Sequence, residues 1–223
     1  MTSRAIIFSG DSVRATLHGL KRETRRVFKF PAWADPSHQI EFSGVGGLAA
    51  ALCEASGCFA DVPCPYGIAG DELWARETWR TEELGDDAEV PGLDGVRFKS
   101  DDRFEPIANT VEAAEAWGAA HRRGGKWRSP IHMPRWASRL TLTVIMIRVE
   151  RLHEIREAGA LAEGMIVGGN PRRHWYHAPD TARMNFQTHW DKINAARGFS
   201  WDTNPWVWVV TFKRKEEASG ARP

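Results

Sequence analysis

The sequence has no long apolar run, no surplus of charge of either sign, and few cysteines or tyrosines. Each shortage narrows what the chain can be. Only three cysteines, Cys53, Cys58 and Cys64, occur among 223 residues. An odd number with no signal peptide ahead of it argues against a disulfide framework and for a reducing compartment, so the cytoplasm is expected. Their spacing does not reproduce a zinc knuckle, although His174 and His177 could in principle complete a site; neither metal nor cofactor is expected. No apolar stretch reaches the roughly 18 residues of a membrane span, which predicts a soluble protein with no membrane partner. The 30 basic residues are offset by 29 acidic ones. The summed field therefore does not attract nucleic acid, and any polyanion must use a local basic patch.

What is present is tryptophan, 11 residues against 2 tyrosines. Indole faces suit base stacking as well as core filling. The length fits one elaborated domain able to bury a real core. A short apolar run at Ala5 to Phe8 precedes a helix through Val13, Leu17 and Leu20, with Gly19 placed to stop it, and a strand is expected over residues 24–30. Residues 31–36 break it, and 31–69 read as an insertion with one short helix near 48–55. Gly44-Val45-Gly46-Gly47-Leu48-Ala49 has the outline of a dinucleotide-binding turn but lacks a parallel-strand unit around it.

Residues 70–79 read as a turn followed by a strand, with Leu73 and Ala75 on one face and Trp74 and Arg76 on the other. A second insertion, 80–130, reads as acidic loop with one helix over 111–120. Residues 140–152 form the clearest strand, rich in β-branched side chains. A helix over 155–163 ends at Gly164. A polar loop passes through Pro171 and Pro179, and Phe186, Trp190 and Ile193 recur at helical spacing up to Gly198. The last strand, 206–212, is apolar on both faces and should lie centrally in a closed or doubly covered sheet. Residues 214–223 read as a charged tail. The element order has few parallel crossovers, which favours an α+β fold, a small β-barrel with flanking helices, over a doubly wound sheet.

The stretch Gly19-Leu20-Lys21-Arg22-Glu23-Thr24-Arg25-Arg26 concentrates the chemistry. A threonine hydroxyl becomes a nucleophile when a neighbouring base takes its proton, and a lysine serves as that base if burial or adjacent positive charge lowers its pKa. In a regular strand Lys21 and Thr24 would face opposite sides, so cooperation requires Lys21 to sit in the turn and curl back. Arg22, Arg25 and Arg26 supply positive charge and could hold phosphate or a developing oxyanion. Glu163, in the last turn of its helix, sits where the dipole disfavours a carboxylate and suits a proton carrier. Glu77, between Arg76 and Trp79, is a rival acid or the partner of a structural arginine. Arg25, Arg26, Arg76, Glu77 and Trp79 are the candidates for substrate binding.

These motifs, with Gly70-Asp71-Glu72-Leu73-Trp74, Ala162-Glu163-Gly164-Met165 and the last apolar strand, resemble the ASCH domain of the PUA-like superfamily. Cys64-Pro65-Tyr66-Gly67, Ile131-His132-Met133-Pro134-Arg135-Trp136 and Trp201-Asp202-Thr203-Asn204-Pro205-Trp206 extend the likeness to ASCH-type proteins common in phages and prophages. The resemblance implies one PUA-like barrel domain over residues 1–213. Within that superfamily, small bacterial N4-acetylcytidine amidohydrolases use a Lys, a Thr three residues later and a Glu near the end of a following helix. Lys21, Thr24 and Glu163 match them by motif. The resemblance thus implies metal-independent hydrolysis of an N4-acylated cytosine nucleoside or related pyrimidine. Thr24 would attack the amide carbonyl, Lys21 would accept its proton, and Glu163 would orient the lysine or protonate the leaving amine. This chain is much longer than those enzymes and has Glu23 and Arg25 where they carry apolar residues. ASCH relatives are also linked to RNA binding and cleavage. The alternative is therefore an RNA or single-stranded DNA binding module, with ribonuclease activity as a third reading, in which Arg22, Arg25 and Arg26 contact phosphate and tryptophans stack bases.

Overall fold

The computed structural model describes residues 1–30, 40–42, 48–53, 58–85, 88–122, 124–167 and 181–215. The glycine-rich turn at Gly44, the break over residues 31–36, the loop through Pro171 and Pro179, His174, His177 and tail residues 216–223 lie outside them. The elements are β1 (Ser3–Ile7), α1 (Gly10–Leu17), β2 (Glu23–Val27), β3 (Ile40–Phe42), β4 (Leu48–Cys53), β5 (Cys58–Pro63), β6 (Glu72–Arg76), β7 (Trp79–Glu83), β8 (Asp94–Phe98), β9 (Phe104–Pro106), α2 (Val111–His121), β10 (Thr141–Arg151), α3 (Glu157–Ala162), α4 (Ala182–Asn194) and β11 (Trp206–Arg214). The fold is α+β. Its sheets are one of five strands, ordered β1-β6-β10-β11-β2, and two of three, β3-β4-β5 and β7-β8-β9. Among the described residues the five-stranded sheet is open rather than a closed barrel. No helix among them is long and apolar enough to cross a membrane.

The chain divides into two compact units. The first comprises Met1–Thr2, His18–Glu72 and Thr143–Lys213. The second comprises Ser3–Leu17, Leu73–Leu142 and Arg214–Pro223.

In the first unit, Ala182, Phe186, Trp190 and Asn194 recur every four residues of α4, so one helix face is buried. The Thr181 side chain caps this helix by accepting from the Met184 N–H at 3.2 Å. Phe186 and Trp190 pack with Leu152, Ile155, Ala160, Trp201, Val207 and Val209. Burial of each large apolar side chain contributes about 1.5–3 kcal/mol. Val207 to Val210 of β11 are all buried, in accord with the strand's interior place in the sheet order. The antiparallel register with β2 sets Val209 opposite Arg25, Val210 opposite Thr24 and Thr211 opposite Glu23.

The helix expected near 48–55 is instead strand β4. It pairs antiparallel with β3 on one side and β5 on the other, with Cys53 opposite Cys58. An alanine-rich run has high helix propensity, but two ladder partners satisfy its backbone from both edges.

In the second unit, the stretch expected to be loop with one helix contains α2 and also β7, β8 and β9, joined in an antiparallel sheet. Trp79, Thr81, Val96 and Phe98 are buried on one face of this sheet. Trp79, Val96 and Phe98 pack there with Met133 and Ala137. The intervening charged residues alternate with them, as strand geometry requires.

Candidate active site

Lys21 and Glu163 meet at the end of α3. Gly164, at φ +87°, lets the chain leave the helix in a left-handed turn, with Met165 N–H donating to Ala160 O at 3.1 Å. This turn brings Glu163 antiparallel to Lys21 as an isolated bridge. Arg22 N–H donates to Ala162 O at 2.7 Å. The Lys21 ammonium donates to the Glu163 backbone oxygen at 3.0 Å and also pairs with Glu163 Oε2. Both side chains are buried, at 4% and 6% exposure.

Burial pushes the Lys21 pKa below its ordinary value, because desolvation disfavours the ammonium. The attraction and hydrogen bond of Glu163 oppose that shift, and the charges of Arg26 and Arg25 reinforce it.

The other Glu163 oxygen accepts from the Arg25 backbone N–H at 2.6 Å. Strand β2 ends the sheet order, so the carboxylate lies along the strand's edge rather than over one of its faces. The Arg25 guanidinium is buried and shared among three carboxylates. Its Nη1 lies 3.4 Å from Glu163 Oε1 and 3.3 Å from Glu23 Oε2, and its Nη2 lies 2.8 Å from Glu150 Oε1. Arg148 completes the network through Glu23 at 3.1 Å and Glu150 at 3.0 Å. Burial tends to raise the Glu23 pKa, but the hydrogen bonds and charges of Arg148 and Arg25 hold it below the usual carboxylate value. Gly159 of α3 makes room for this arrangement, since a Cβ there would sit 3.0 Å from Arg25 Nη2 and 3.2 Å from Ile155 Cγ1.

Thr24 is 1% exposed. It leaves β2 on the face opposite Glu23 and Arg25. Among the described residues its hydroxyl makes no hydrogen bond to Lys21 or Glu163. The structure therefore brings together two members of the expected trio, Lys21 and Glu163, and gives Thr24 no hydrogen bond to either. On the Arg25 face a cavity of about 770 Å³ is lined by Glu23, Arg25, Arg148, Glu150 and residues 153–156, 158 and 159. That volume is in the range of small-molecule sites.

Arg26 is half-buried, with Nη1 3.5 Å from Arg25 O, and Arg22 is exposed. Arg76, Glu77 and Trp79 belong to the second unit. The Arg76 guanidinium stacks over Trp74 at 4.6 Å and donates to Ile131 O at 3.3 Å. Glu77 is the partner of a structural arginine: Arg139 reaches it at 2.9 Å, both side chains are buried, and Ser100 Oγ donates to Glu77 Oε2 at 2.6 Å. Trp79 is core, at 1% exposure. Cys64 is buried. Among the described residues no group of three or more His, Cys, Asp or Glu is arranged to hold a metal ion.

Sequence reasoning missed Glu23, Arg148 and Glu150 as site residues. The available signal was the switch from an apolar run to charges two apart, Arg148 and Glu150, at the end of β10. The chain matches no protein-family model, no curated protein and no solved structure.

Proposed function

We propose that the chain is a metal-independent amidohydrolase of ASCH type and PUA-like fold, removing an acyl group from the exocyclic amine of an N4-acylated cytosine nucleoside or related pyrimidine. The observation that carries this reading is the buried Lys21–Glu163 pair, assembled from residues 142 apart in the chain. Burial that lowers a lysine pKa shifts it toward the free amine, which is the form a general base requires. In the proposed step Thr24 Oγ1 forms a bond to the amide carbonyl carbon as its proton passes to Lys21 Nζ. Collapse of the tetrahedral intermediate breaks the carbon–nitrogen bond, and the departing amine takes the proton. Water then hydrolyses the threonyl ester and releases the carboxylic acid. Glu163 holds the lysine in place and stabilises its protonated form, and Arg25 fixes Glu163. Arg26, half-buried on the Thr24 face, is assigned to substrate binding.

The nucleic-acid reading built on Arg22, Arg25 and Arg26 is weaker, because Arg25 is buried and already paired with carboxylates. Purified protein incubated with N4-acetylcytidine should release cytidine and acetate, and Thr24→Ala and Lys21→Met should each abolish the release. No turnover, or turnover indifferent to Thr24→Ala, rejects the assignment. Metal-free cleavage of a labelled RNA without deacylation transfers the site to a ribonuclease.

A further inference from the structure

The three-stranded sheet of the second unit has one face buried in its core and another that bears a cross-strand row of alternating chemistry. The ladder sets Arg80 opposite Arg97 and Arg97 opposite Phe104. Beyond β7, Arg128 is bridged to Trp79. Because neighbouring residues point to opposite faces, Arg128 goes inward over the Trp79 ring and Trp127 outward beside Arg80. The outer row thus runs Trp127, Arg80, Arg97, Phe104.

The row is held rigidly. Arg80 lies 4.8 Å from the Trp127 ring centroid and Arg97 lies 5.7 Å from that of Phe104. Glu82, on the same face, holds the two guanidiniums together, at 2.7 Å to Arg80 and 2.6 Å to Arg97. Gly95 clears the floor for Phe104, since a Cβ there would overlap the ring. Trp127 is 38% exposed. Lys99, itself exposed, places its ammonium 6.0 Å from the Trp127 centroid. Of the three cations on this face, Arg80 and Arg97 pair with Glu82, and Arg97 also lies 3.9 Å from Asp102.

We propose that this outer face, centred on Trp127, Arg80, Arg97, Phe104 and Lys99, binds single-stranded nucleic acid. Two aromatic rings separated by guanidiniums offer stacking positions for successive bases, and the cationic excess suits the phosphates between them. The small net charge of the patch makes stacking the larger contribution. Duplex is disfavoured because its bases are already stacked on one another. This surface is independent of the Lys21–Glu163 site and of the function proposed for it.

The test is fluorescence anisotropy of labelled U20 and dT20 with the full chain. Binding should weaken with salt on a shallow log–log slope, about −0.7 to −1.4 for one or two phosphates. Trp127→Ala should weaken it about tenfold, the loss of one stacked base. Lys99→Glu should weaken it and flatten the slope. Near-wild-type melting of the Trp127 and Lys99 variants shows that they fold. No measurable binding at low salt, affinity indifferent to Trp127→Ala, or equal affinity for polyglutamate or for duplex DNA each overturns the proposal. If Trp127→Ala fails to fold, loss of binding in Lys99→Glu together with protection of Trp127 from oxidation by bound U20 supports it. Absence of both effects rejects it.

Discussion

The Arg25 guanidinium lies 3.4 Å from a Glu163 oxygen that also accepts the Arg25 backbone N–H at 2.6 Å, so one residue holds that carboxylate by both its main chain and its side chain. Glu163 is thereby fixed before Lys21 contributes anything. Two cations and one backbone donor converge on a single carboxylate, which makes its removal costly.

Glu163→Gln removes the negative charge but keeps an acceptor for the Arg25 N–H. Lys21 then remains buried without its anion, and breaking one half of a buried pair costs about 3–5 kcal/mol. Urea unfolding should show that loss. The double variant Lys21→Met, Glu163→Gln should recover part of it, since the uncompensated charge is gone.

Lys21 also links stability to pH. Its folded pKa is below the ordinary 10.5. Between the folded value and 10.5 the unfolded chain holds a proton that the folded chain has released, so this residue's contribution to stability rises with pH across that window. Denaturant midpoints from neutral to alkaline pH, compared with Lys21→Met, should diverge in that sense. Parallel profiles would show that the lysine is not depressed.

Gly159→Ala should destabilise, although glycine to alanine inside a helix ordinarily stabilises by about 1 kcal/mol. The added methyl meets Arg25 Nη2 at 3.0 Å, and Arg25 cannot give way because three carboxylates hold it. A cost of about 1–3 kcal/mol is expected from such overpacking. Thermal melts check the sign, and a loss of deacylation activity would follow from displacement of Arg25.

In the second unit, Arg139→Ala should cost about 3–5 kcal/mol by leaving Glu77 buried and unpaired. Arg139→Ala combined with Glu77→Gln should be milder than the arginine variant alone. Equal losses in the single and double variants would mean that the lost packing of Arg139 over Phe98, 4.0 Å from the ring, outweighs the charge.

The sequence was most readable where one periodicity dominates. The β-branched run of β10, the helical spacing of Phe186 and Trp190 in α4 and the two-sided apolar strand β11 all appear within a few residues of their expected bounds, although Ile193, expected on the same face of α4, is exposed and Asn194 is buried there instead. Lys21 and Glu163 could be matched by motif because a glycine, Gly164, marks the turn that sets the carboxylate. Two things were not readable. Pairing is non-local, so the helix-favouring run of β4 gave no sign of its partners β3 and β5. The sheet β7-β8-β9 hides its alternation behind charged outward residues such as Arg80, Glu82 and Arg97, which read as loop composition. The ion network around Arg25 was equally invisible, because Glu23, Glu150 and Glu163 come from three separate elements.

The place of β2 at the end of the sheet order among the described residues carries a further consequence. An unpaired strand edge is a template on which another chain can add a strand, and proteins guard such edges with charge or with a covering segment. Here Glu163 takes up the outward N–H of Arg25, and Lys21 is bridged to the turn after α3. Emptying the pair would therefore do more than remove a base: it would open a docking edge, and variants at Lys21 or Glu163 should be the ones that self-associate.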